Sequence, residues 1–165
     1  MKINACASLY FNGDFLEVET MSQGMLDYAE PDTPPHYLPP DVDDATLGKT
    51  LRIALAASKT VSMPEFQKIF HSGVVQKLSE ERNAWAMQYY GYKTKRAMLR
   101  KMNCCSVKTY ASVIEIKPWH HKTLDGYSGI SNDGPEILHL PITVTDAELG
   151  GAIREGFKRC TSSVK

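Results

Sequence analysis

A repeat links two segments that lie 102 residues apart, and it constrains the fold more than any other feature of the sequence. The pair Leu38-Pro39 recurs as Leu140-Pro141, and six further positions match. These are Val42, Asp44, Ala45, Leu47, Gly48 and Arg52, which recur as Val144, Asp146, Ala147, Leu149, Gly150 and Arg154. The period is too long for a solenoid, whose units span roughly 20–50 residues. The repeat therefore indicates either a duplication or two unrelated helices that share one capping chemistry.

Each copy of the repeat predicts the start of an amphipathic helix. Asp43 and Thr145 can cap the free amides of the first turn, and Thr145 with Glu148 forms a capping-box pattern. An apolar stripe follows at every fourth position: Leu47, Leu51 and Leu55 in one copy, and Leu149, Ile153 and Phe157 in the other. Gly48 and Gly150 each cost a helix about 1 kcal/mol relative to alanine. Their recurrence predicts that another backbone approaches each helix closely.

The other apolar segments predict β-hairpins with helices inserted between them. Segments 3–10 and 14–19 flank Asn12-Gly13, a pair suited to a tight turn, and segments 104–110 and 112–117 flank Ala111. A last strand over 137–142 leads into the terminal helix. Residues 21–40 and 120–135 are expected to be loops, the first with room for one short strand.

Three further segments complete this interpretation. Short helices are predicted over 63–71 and 94–102, whereas 82–92 is interpreted as a strand because it is rich in aromatic residues. The preceding Ser79-Glu80-Glu81 could instead begin a helix there. We predict a single domain over 1–165 of the α+β class, with a mainly antiparallel β-sheet built of hairpins and flanked by amphipathic helices.

Composition indicates an ordinary soluble protein. Of 165 residues, 42% are hydrophobic and 23% are charged, which argues against a disordered or collagen-like chain. No apolar run approaches the roughly 18–20 residues that cross a bilayer, and the segment after Lys2 is too short for a signal-peptide core. We therefore expect a cytoplasmic protein with reduced cysteines and no disulfide framework. The four cysteines are Cys6, Cys104, Cys105 and Cys160.

The sequence contains no focused catalytic or cofactor motif, so we expect a protein that is not an enzyme and holds no cofactor or metal. Adjacent His120 and His121 chelate one ion poorly, and we place both in a surface loop. Phosphate-binding loops are absent, and Cys160 is expected to act as a small buried hydrophobe. The aromatic residues Trp85, Tyr89, Tyr90 and Tyr92 are expected mainly in a core, although stacking on bases is the alternative.

Charge is segregated along the chain even though 19 basic and 19 acidic residues cancel. Between Ile3 and Gly48 the only charged residues are acidic: Asp14, Glu17, Glu19, Asp27, Glu30, Asp32, Asp41, Asp43 and Asp44. Between Tyr92 and Lys122 the balance reverses, with Glu115 as the only acid among eight basic residues. The two regions either neutralise each other in the fold or serve partners. An acidic surface suits a basic protein such as a ribonuclease, and a basic one suits phosphates.

Several segments resemble the immunity proteins of bacterial contact-dependent growth inhibition (CDI) systems. They are 91–99 (GYKTKRAML), Cys104-Cys105-Ser106, 118–121 (PWHH), and the ending from 149–154 (LGGAIR) to Arg159-Cys160. The resemblance covers most of 80–160 and extends to the N-terminal half in outline. It brings no catalytic residues with it.

The resemblance implies an antitoxin that binds the C-terminal toxin domain of a cognate CdiA-type effector one-to-one and neutralises it. It implies a nuclease toxin, often a ribonuclease, whose active site or substrate groove is covered, with neither membrane nor nucleic acid as a partner. We predict toxin contacts at Glu17, Asp27, Glu30, Asp32 and Asp41, with Asp125, Tyr127 and Asp133 as a second patch. The alternative is a sequence-tolerant single-stranded nucleic-acid-binding protein that uses the basic 92–122 stretch, through Lys93, Lys95, Arg96, Arg100 and Lys101.

Overall fold

The computed structural model describes residues 2–165, and within them the chain forms nine strands and five helices. In chain order these are β1 (Ala5–Phe11), β2 (Leu16–Gln23), β3 (Asp27–Ala29), β4 (His36–Leu38), α1 (Asp44–Ala56), α2 (Met63–Ser72), α3 (Val74–Tyr90), α4 (Lys95–Leu99), β5 (Asn103–Thr109), β6 (Val113–Thr123), β7 (Gly126–Gly129), β8 (Leu138–Pro141), α5 (Asp146–Lys158) and β9 (Thr161–Ser162). The predicted α+β class is confirmed.

The nine strands form one mainly antiparallel sheet. Its central order is β3-β2-β1-β5-β6-β7, with β4 paired to β2, and β8 and β9 paired to β6. The β9–β6 pair is parallel, and the other named pairs are antiparallel. Both predicted hairpins, β1–β2 and β5–β6, are present and lie side by side through the β1–β5 pairing.

The turn of the first hairpin is built by Asn12 and Gly13. The Asn12 side-chain oxygen accepts hydrogen bonds from the amides of Asp14 and Phe15, and Gly13 has a φ of 94°. A positive φ is a conformation that glycine adopts without a steric penalty. The turn therefore reverses the chain where the sequence predicts it.

Helices α1 and α5 begin at the predicted caps and pack against each other. Asp43 accepts a hydrogen bond from the amide of Thr46, and Thr145 with Glu148 forms the complete capping box. A Cβ atom at Gly48 would overlap the carbonyl oxygen of Asp146, and one at Gly150 would overlap that of Asp44. Each helix therefore receives the first turn of the other at its glycine, which confirms the predicted close approach.

Two arginines repeat this reciprocity across the helix pair. Arg52 of α1 binds the Asp146 carboxylate at 2.9 Å and donates to the carbonyls of Ile142 and Val144. Arg154 of α5 binds the Asp44 carboxylate at 3.1 Å and donates to the carbonyls of Pro40 and Val42. Each guanidinium therefore fastens the segment that leads into the opposite helix.

The core lies on both faces of the sheet. The larger cluster joins the stripes of α1 and α5 to strand residues on one face, such as Leu9, Val18 and Val107. On the other face, Phe15, Ala86, Met98 and Met102 form a second cluster with α3 and α4.

The interpretation of 82–92 as a strand was wrong, because residues 74–90 form one helix, α3. Trp85 and Tyr89 are four positions apart, and their rings stack with centroids 4.9 Å apart. Side chains four positions apart are neighbours on the surface of a helix. Gly91, with a φ of 76°, ends the helix in the left-handed conformation common at helix C-termini. Aromatic β-propensity did not decide this segment, because Ala86, Met87 and Tyr90 of the helix pack in the second core cluster.

Other predicted boundaries shift by modest amounts. The predicted loop 21–40 holds two short strands, β3 and β4, rather than one. The predicted loop 120–135 begins inside a strand, because β6 continues to Thr123 and pairs with β7. Helix α2 begins at Met63 as predicted, and α4 begins after the predicted cap Thr94 but ends at Leu99.

Candidate functional site

A cleft of about 520 Å³ lies between helices α3 and α4 and the sheet face that α1 and α5 leave uncovered. We call it the sheet cleft. Its lining residues are Tyr10, Phe15, Glu17 and Glu19 from the sheet side, Gln76, Ser79, Arg82, Asn83 and Ala86 from α3, Lys95, Met98, Leu99 and Met102 around α4, and Leu124, Asp125 and Tyr127 around β7. The lining combines apolar walls with several charged groups.

Strand β2 places two glutamates in the cleft. Its residues alternate between buried and half-buried, with Leu16, Val18 and Thr20 on the core side. Glu17 and Glu19 therefore share the opposite face, as the period of two in a strand requires. Glu17 stands opposite Tyr10 of β1 in the pairing register.

Arg82 of α3 is the cation that faces these glutamates. Its guanidinium lies 3.2 Å from a Glu19 carboxylate oxygen, and both side chains are only 13% exposed. Arg82 also donates hydrogen bonds to the carbonyls of Glu30 and Thr33, so it ties α3 to the β3–β4 segment. Burial raises the pKa of Glu19, and the neighbouring guanidinium opposes that shift.

Glu17 has a different electrostatic position. Burial raises the pKa of Glu17 to about 8, and the nearby Glu19 carboxylate adds to the shift. Within residues 2–165, Glu17 forms no ion pair. The raised pKa and the lack of an ion pair favour the neutral form of Glu17, whereas Glu19 is paired with Arg82.

The rim of the cleft is formed by α4 and the β6–β7 turn. Asp125 forms an ion pair with Lys95 at 3.0 Å, and both side chains are at least half exposed. The Tyr127 hydroxyl donates to the Met102 carbonyl at 2.9 Å, and its ring stacks on His121 at 4.6 Å. Tyr127 is thus held in place, whereas the Lys95–Asp125 pair can open to solvent at little cost.

A second, more apolar groove of about 390 Å³, which we call the proline-lined groove, shares Arg82 with the sheet cleft. It is lined by Pro31, Pro34, Pro35, Tyr37, Leu78, Arg82 and Trp85. Trp85 is 46% exposed and its stacking partner Tyr89 is 68% exposed. Exposed aromatic residues beside a groove are typical of protein-binding surfaces.

Comparison with known proteins assigns this architecture to a family. The model of the CDI immunity proteins, CdiI, matches residues 5–160. The chain belongs to the CDI immunity protein family. The match extends through the N-terminal half, so family membership covers both copies of the repeat and every strand from β1 to β8.

Relatives of this family member match it over nearly its whole length. The immunity protein CdiI-YPIII of Yersinia pseudotuberculosis is 30% identical, over 95% of this chain and 96% of the relative. A chain of the CdiA-CT/CdiI toxin and immunity complex from Yersinia pseudotuberculosis is 28% identical, with a TM-score of 0.87 over 98% and 99% of the two chains. A protein of unknown function from Neisseria meningitidis gives the same TM-score and identity over 94% of each chain.

The fold of this CDI immunity family member brings three predicted contact residues together. Glu17 lies on the floor of the sheet cleft, and Asp125 and Tyr127 lie at its rim, although Glu17 is more than one hundred positions from the other two in sequence. One member of the first predicted patch and two members of the second therefore share this cleft.

Glu30 does not lie on a free surface. It is 2% exposed, accepts hydrogen bonds from the Ser22 hydroxyl and the Asp32 amide, and lies 3.7 Å from Lys59. Asp32 pairs with the same lysine at 2.8 Å but is itself exposed. In this structure the Glu30 carboxylate therefore organises the segment after β3 rather than facing solvent.

The remaining predicted acids are exposed and spread over the surface. Asp27 begins β3, Asp41 precedes the α1 cap, and Asp133 follows β7 in the loop to β8. Among the described residues, none of the three forms an ion pair. They offer negative charge to a partner, but they lie outside the lining of the sheet cleft.

The surface-loop prediction for His120 and His121 was wrong, because both lie in β6. His121 is buried, and one ring nitrogen bonds the Leu124 carbonyl at 2.9 Å. His120 is half-buried between the hydroxyls of Thr161 and Ser163. In the part of the chain that the structure describes, no group of three or more His, Cys, Asp or Glu side chains is placed to hold a metal ion.

The predicted aromatic core is confirmed for part of the set. Tyr90 and Tyr92 pack against the second core cluster, and Tyr90 stacks on Phe15 at 4.2 Å. Trp85 and Tyr89 project outward instead. The predicted basic residues Lys93, Lys95, Arg96, Arg100 and Lys101 are exposed around α4.

Sequence reasoning missed the Glu19–Arg82 pair and the proline-lined groove. The alternation of residues 16–20 (LEVET) already places both glutamates on one face. Nothing local indicates that Arg82 would reach them, because the partner lies 63 positions away on a segment interpreted as a strand.

No helix in residues 2–165 is both long and apolar enough to span a bilayer.

Proposed function

We propose that this chain is a cytoplasmic immunity protein that binds the C-terminal toxin domain of a cognate CdiA effector one-to-one and neutralises it. The observation that carries the proposal is the full-length match to a chain of a CdiA-CT/CdiI toxin and immunity complex. The protein acts by binding and performs no catalysis of its own.

Exposed acidic residues support a nuclease as the toxin, and we propose that it is a ribonuclease. A nuclease groove must attract phosphates, so it presents basic residues that an acidic partner can meet. Asp27, Asp41 and Asp133 supply exposed negative charge without an internal counterion. Inhibition then follows from occupation of the active site or the substrate groove.

The sheet cleft and the proline-lined groove are the surfaces that such a partner would use. Both are bordered by α3, and Arg82 contributes to each. Exposed Trp85 and Tyr89 provide apolar anchors of the type that dominates binding energy at interfaces. Asp125 and Tyr127 complete the rim on the other side.

Co-expression with the toxin domain encoded immediately upstream tests the proposal. We expect one stable one-to-one complex in gel filtration, and loss of ribonuclease activity on total cellular RNA. Separate elution of the two proteins, with undiminished toxin activity, would refute the immunity function. If the complex forms and protects cells but the toxin cleaves neither RNA nor DNA, the immunity function would stand and the nuclease assignment would be refuted.

A charge-matched pair of variants tests the acidic surface. The triple substitution Asp27→Asn, Asp32→Asn and Asp41→Asn should slow association with the toxin, and the wild-type association rate should fall as salt rises. Glu65→Gln, Glu80→Gln and Glu81→Gln remove the same charge from exposed positions that line neither the sheet cleft nor the proline-lined groove, and they serve as the control. Equal association rates for the two triple variants would refute a role for these aspartates.

Nucleic-acid binding by the basic residues around α4 is a distinguishable outcome. It would appear as RNA that co-purifies with the chain alone and dissociates steeply as salt rises. RNA binding in the absence of a toxin complex would replace the proposed function.

A further inference from the structure

Two thiols that the proposed function does not use lie side by side in the fold. Cys105 is in β5, and Cys160 follows the last residues of α5. Their sulfur atoms are 3.8 Å apart, although 55 positions separate them in sequence. Cys6 and Cys104 are also free and buried.

The two thiols differ in access to solvent. Cys105 is 0% exposed, whereas Cys160 is half-buried at the turn between α5 and β9. The hydrogen bond from Cys105 lowers the pKa of the Cys160 thiol, against the effect of burial. Cys160 is therefore the sulfur that an oxidant in solution meets first, and its lowered pKa favours the reactive thiolate.

We propose that Cys105 and Cys160 form a redox-modification site at which a peroxide converts the two thiols into an intramolecular disulfide. The Cys160 sulfur attacks one peroxide oxygen, the O–O bond breaks, and Cys160 becomes a sulfenic acid as the peroxide is reduced. The Cys105 sulfur then attacks the Cys160 sulfur and displaces its oxygen as water. One hydrogen peroxide oxidises two thiols and yields one disulfide and two waters.

The geometry restricts this reaction to one pair. Closure brings the sulfur atoms from 3.8 Å to about 2 Å, which is within reach of side-chain rotation and a small shift at the turn. Cys104, next in sequence to Cys105, points to the opposite face of β5, because successive strand residues alternate. The hydrogen bond between Cys160 and Cys104 runs from the Cys160 thiol to the backbone carbonyl of Cys104, at 3.3 Å, and does not involve the Cys104 sulfur.

The bond would fasten the end of the chain to the middle of the sheet. β5 lies between β1 and β6, whereas Cys160 joins α5 to β9, the short edge strand paired with β6. Oxidation would therefore hold α5 and β9 against the sheet and slow any opening of the C-terminal segment.

Peptide mapping after peroxide treatment of the full chain tests the proposal without any toxin. Trypsin cleaves after Lys101, Lys108 and Arg159, so the disulfide joins peptide 102–108 to peptide 160–165. We expect this linked peptide, two hydrogens lighter than the sum of its parts, in the monomer fraction. It should persist in Cys104→Ser and Cys6→Ser and disappear in Cys160→Ser.

Cys105 is buried, so a Cys105→Ala variant tests folding as well as oxidation. The decisive measurement is therefore peptide mapping of the oxidised wild-type chain. Fragment spectra of the linked peptide must place the bond at Cys105 rather than at Cys104. A bond at Cys104, a bond between two chains, sulfinic acid at Cys160 without a link, or unmodified thiols would each overturn the proposal.

Discussion

Substitution of Gly150 by alanine tests the reciprocal packing of α1 and α5. A Cβ atom at this position would overlap the Asp44 carbonyl oxygen and lie 2.5 Å from its carbonyl carbon. Carbon atoms in contact prefer about 3.5–4.0 Å, so the helices must separate by about 1 Å. Because the obstructing atoms belong to the backbone, no side-chain rotation can relieve the overlap.

The expected cost follows from two opposing contributions. Overpacking of a rigid contact destabilises by up to about 3 kcal/mol, while alanine gains about 1 kcal/mol over glycine in helix propensity. Gly150→Ala should therefore lower the free energy of unfolding by about 2 kcal/mol. With a urea m-value of about 2 kcal/mol/M, the midpoint would fall by about 1 M.

The adjacent glycine supplies a matched control. A Cβ atom at Gly151 would have its nearest neighbour at 3.7 Å, the Asp44 carboxylate oxygen, which is an ordinary contact. Gly151→Ala should therefore stabilise the chain by up to about 1 kcal/mol through helix propensity alone. Urea unfolding followed by circular dichroism measures both variants.

The same reasoning predicts coupling between the two glycines. Gly48→Ala should resemble Gly150→Ala, and the double variant should cost less than the sum, because one separation of the helices accommodates both methyl groups. A Gly150→Ala chain as stable as the wild type, or a Gly151→Ala chain equally destabilised, would refute the close-approach explanation.

Three further perturbations probe the cleft and the caps. Arg82→Met should destabilise the chain by about 3–5 kcal/mol in urea unfolding, because it leaves buried Glu19 without its cation; Arg82→Met with Glu19→Gln should recover part of that loss. The folded state binds the Glu17 proton up to a pKa of about 8, whereas the unfolded chain releases it near 4.5. Wild-type stability should therefore fall as pH rises from about 4.5 to about 8, by up to about 1.4 kcal/mol per pH unit. Urea titrations across that range should show no such decline for Glu17→Gln. Thr145→Ala should cost about 1 kcal/mol in thermal unfolding and Asp43→Ala a similar amount; a Thr145→Ala chain as stable as the wild type would contradict the capping assignment.

The parts of the fold that depend on local chemistry were predictable from sequence. The starts of α1 and α5 were predicted because Asp43 and Thr145 bond amides only three positions away. The turn at Gly13 and the period of the strands are equally local. The close approach at Gly48 and Gly150 was predictable because a costly residue recurred at the same place in both helices.

The parts that depend on distant partners were not predictable in this way. Helix α3 has a weak apolar stripe, with Ala86 as its only buried residue, so its pattern does not distinguish helix from strand. Glu30 resembles the other acids of the N-terminal third, and its burial depends on Ser22 and Lys59. The sheet cleft joins residues from β1 to β7, and no local pattern predicts which of them meet.

The reciprocal helix pair also determines when the chain can fold during its synthesis. As α1 leaves the ribosome, its apolar stripe of Leu47, Leu51 and Leu55 can pack only against strands already made, such as β1 and β2, because its partner helix α5 is translated about one hundred residues later. Exposed stripes of this kind favour aggregation and recruitment of chaperones. A nascent chain that stops before Thr145 therefore cannot close its core, and the native structure becomes accessible only when translation is nearly complete.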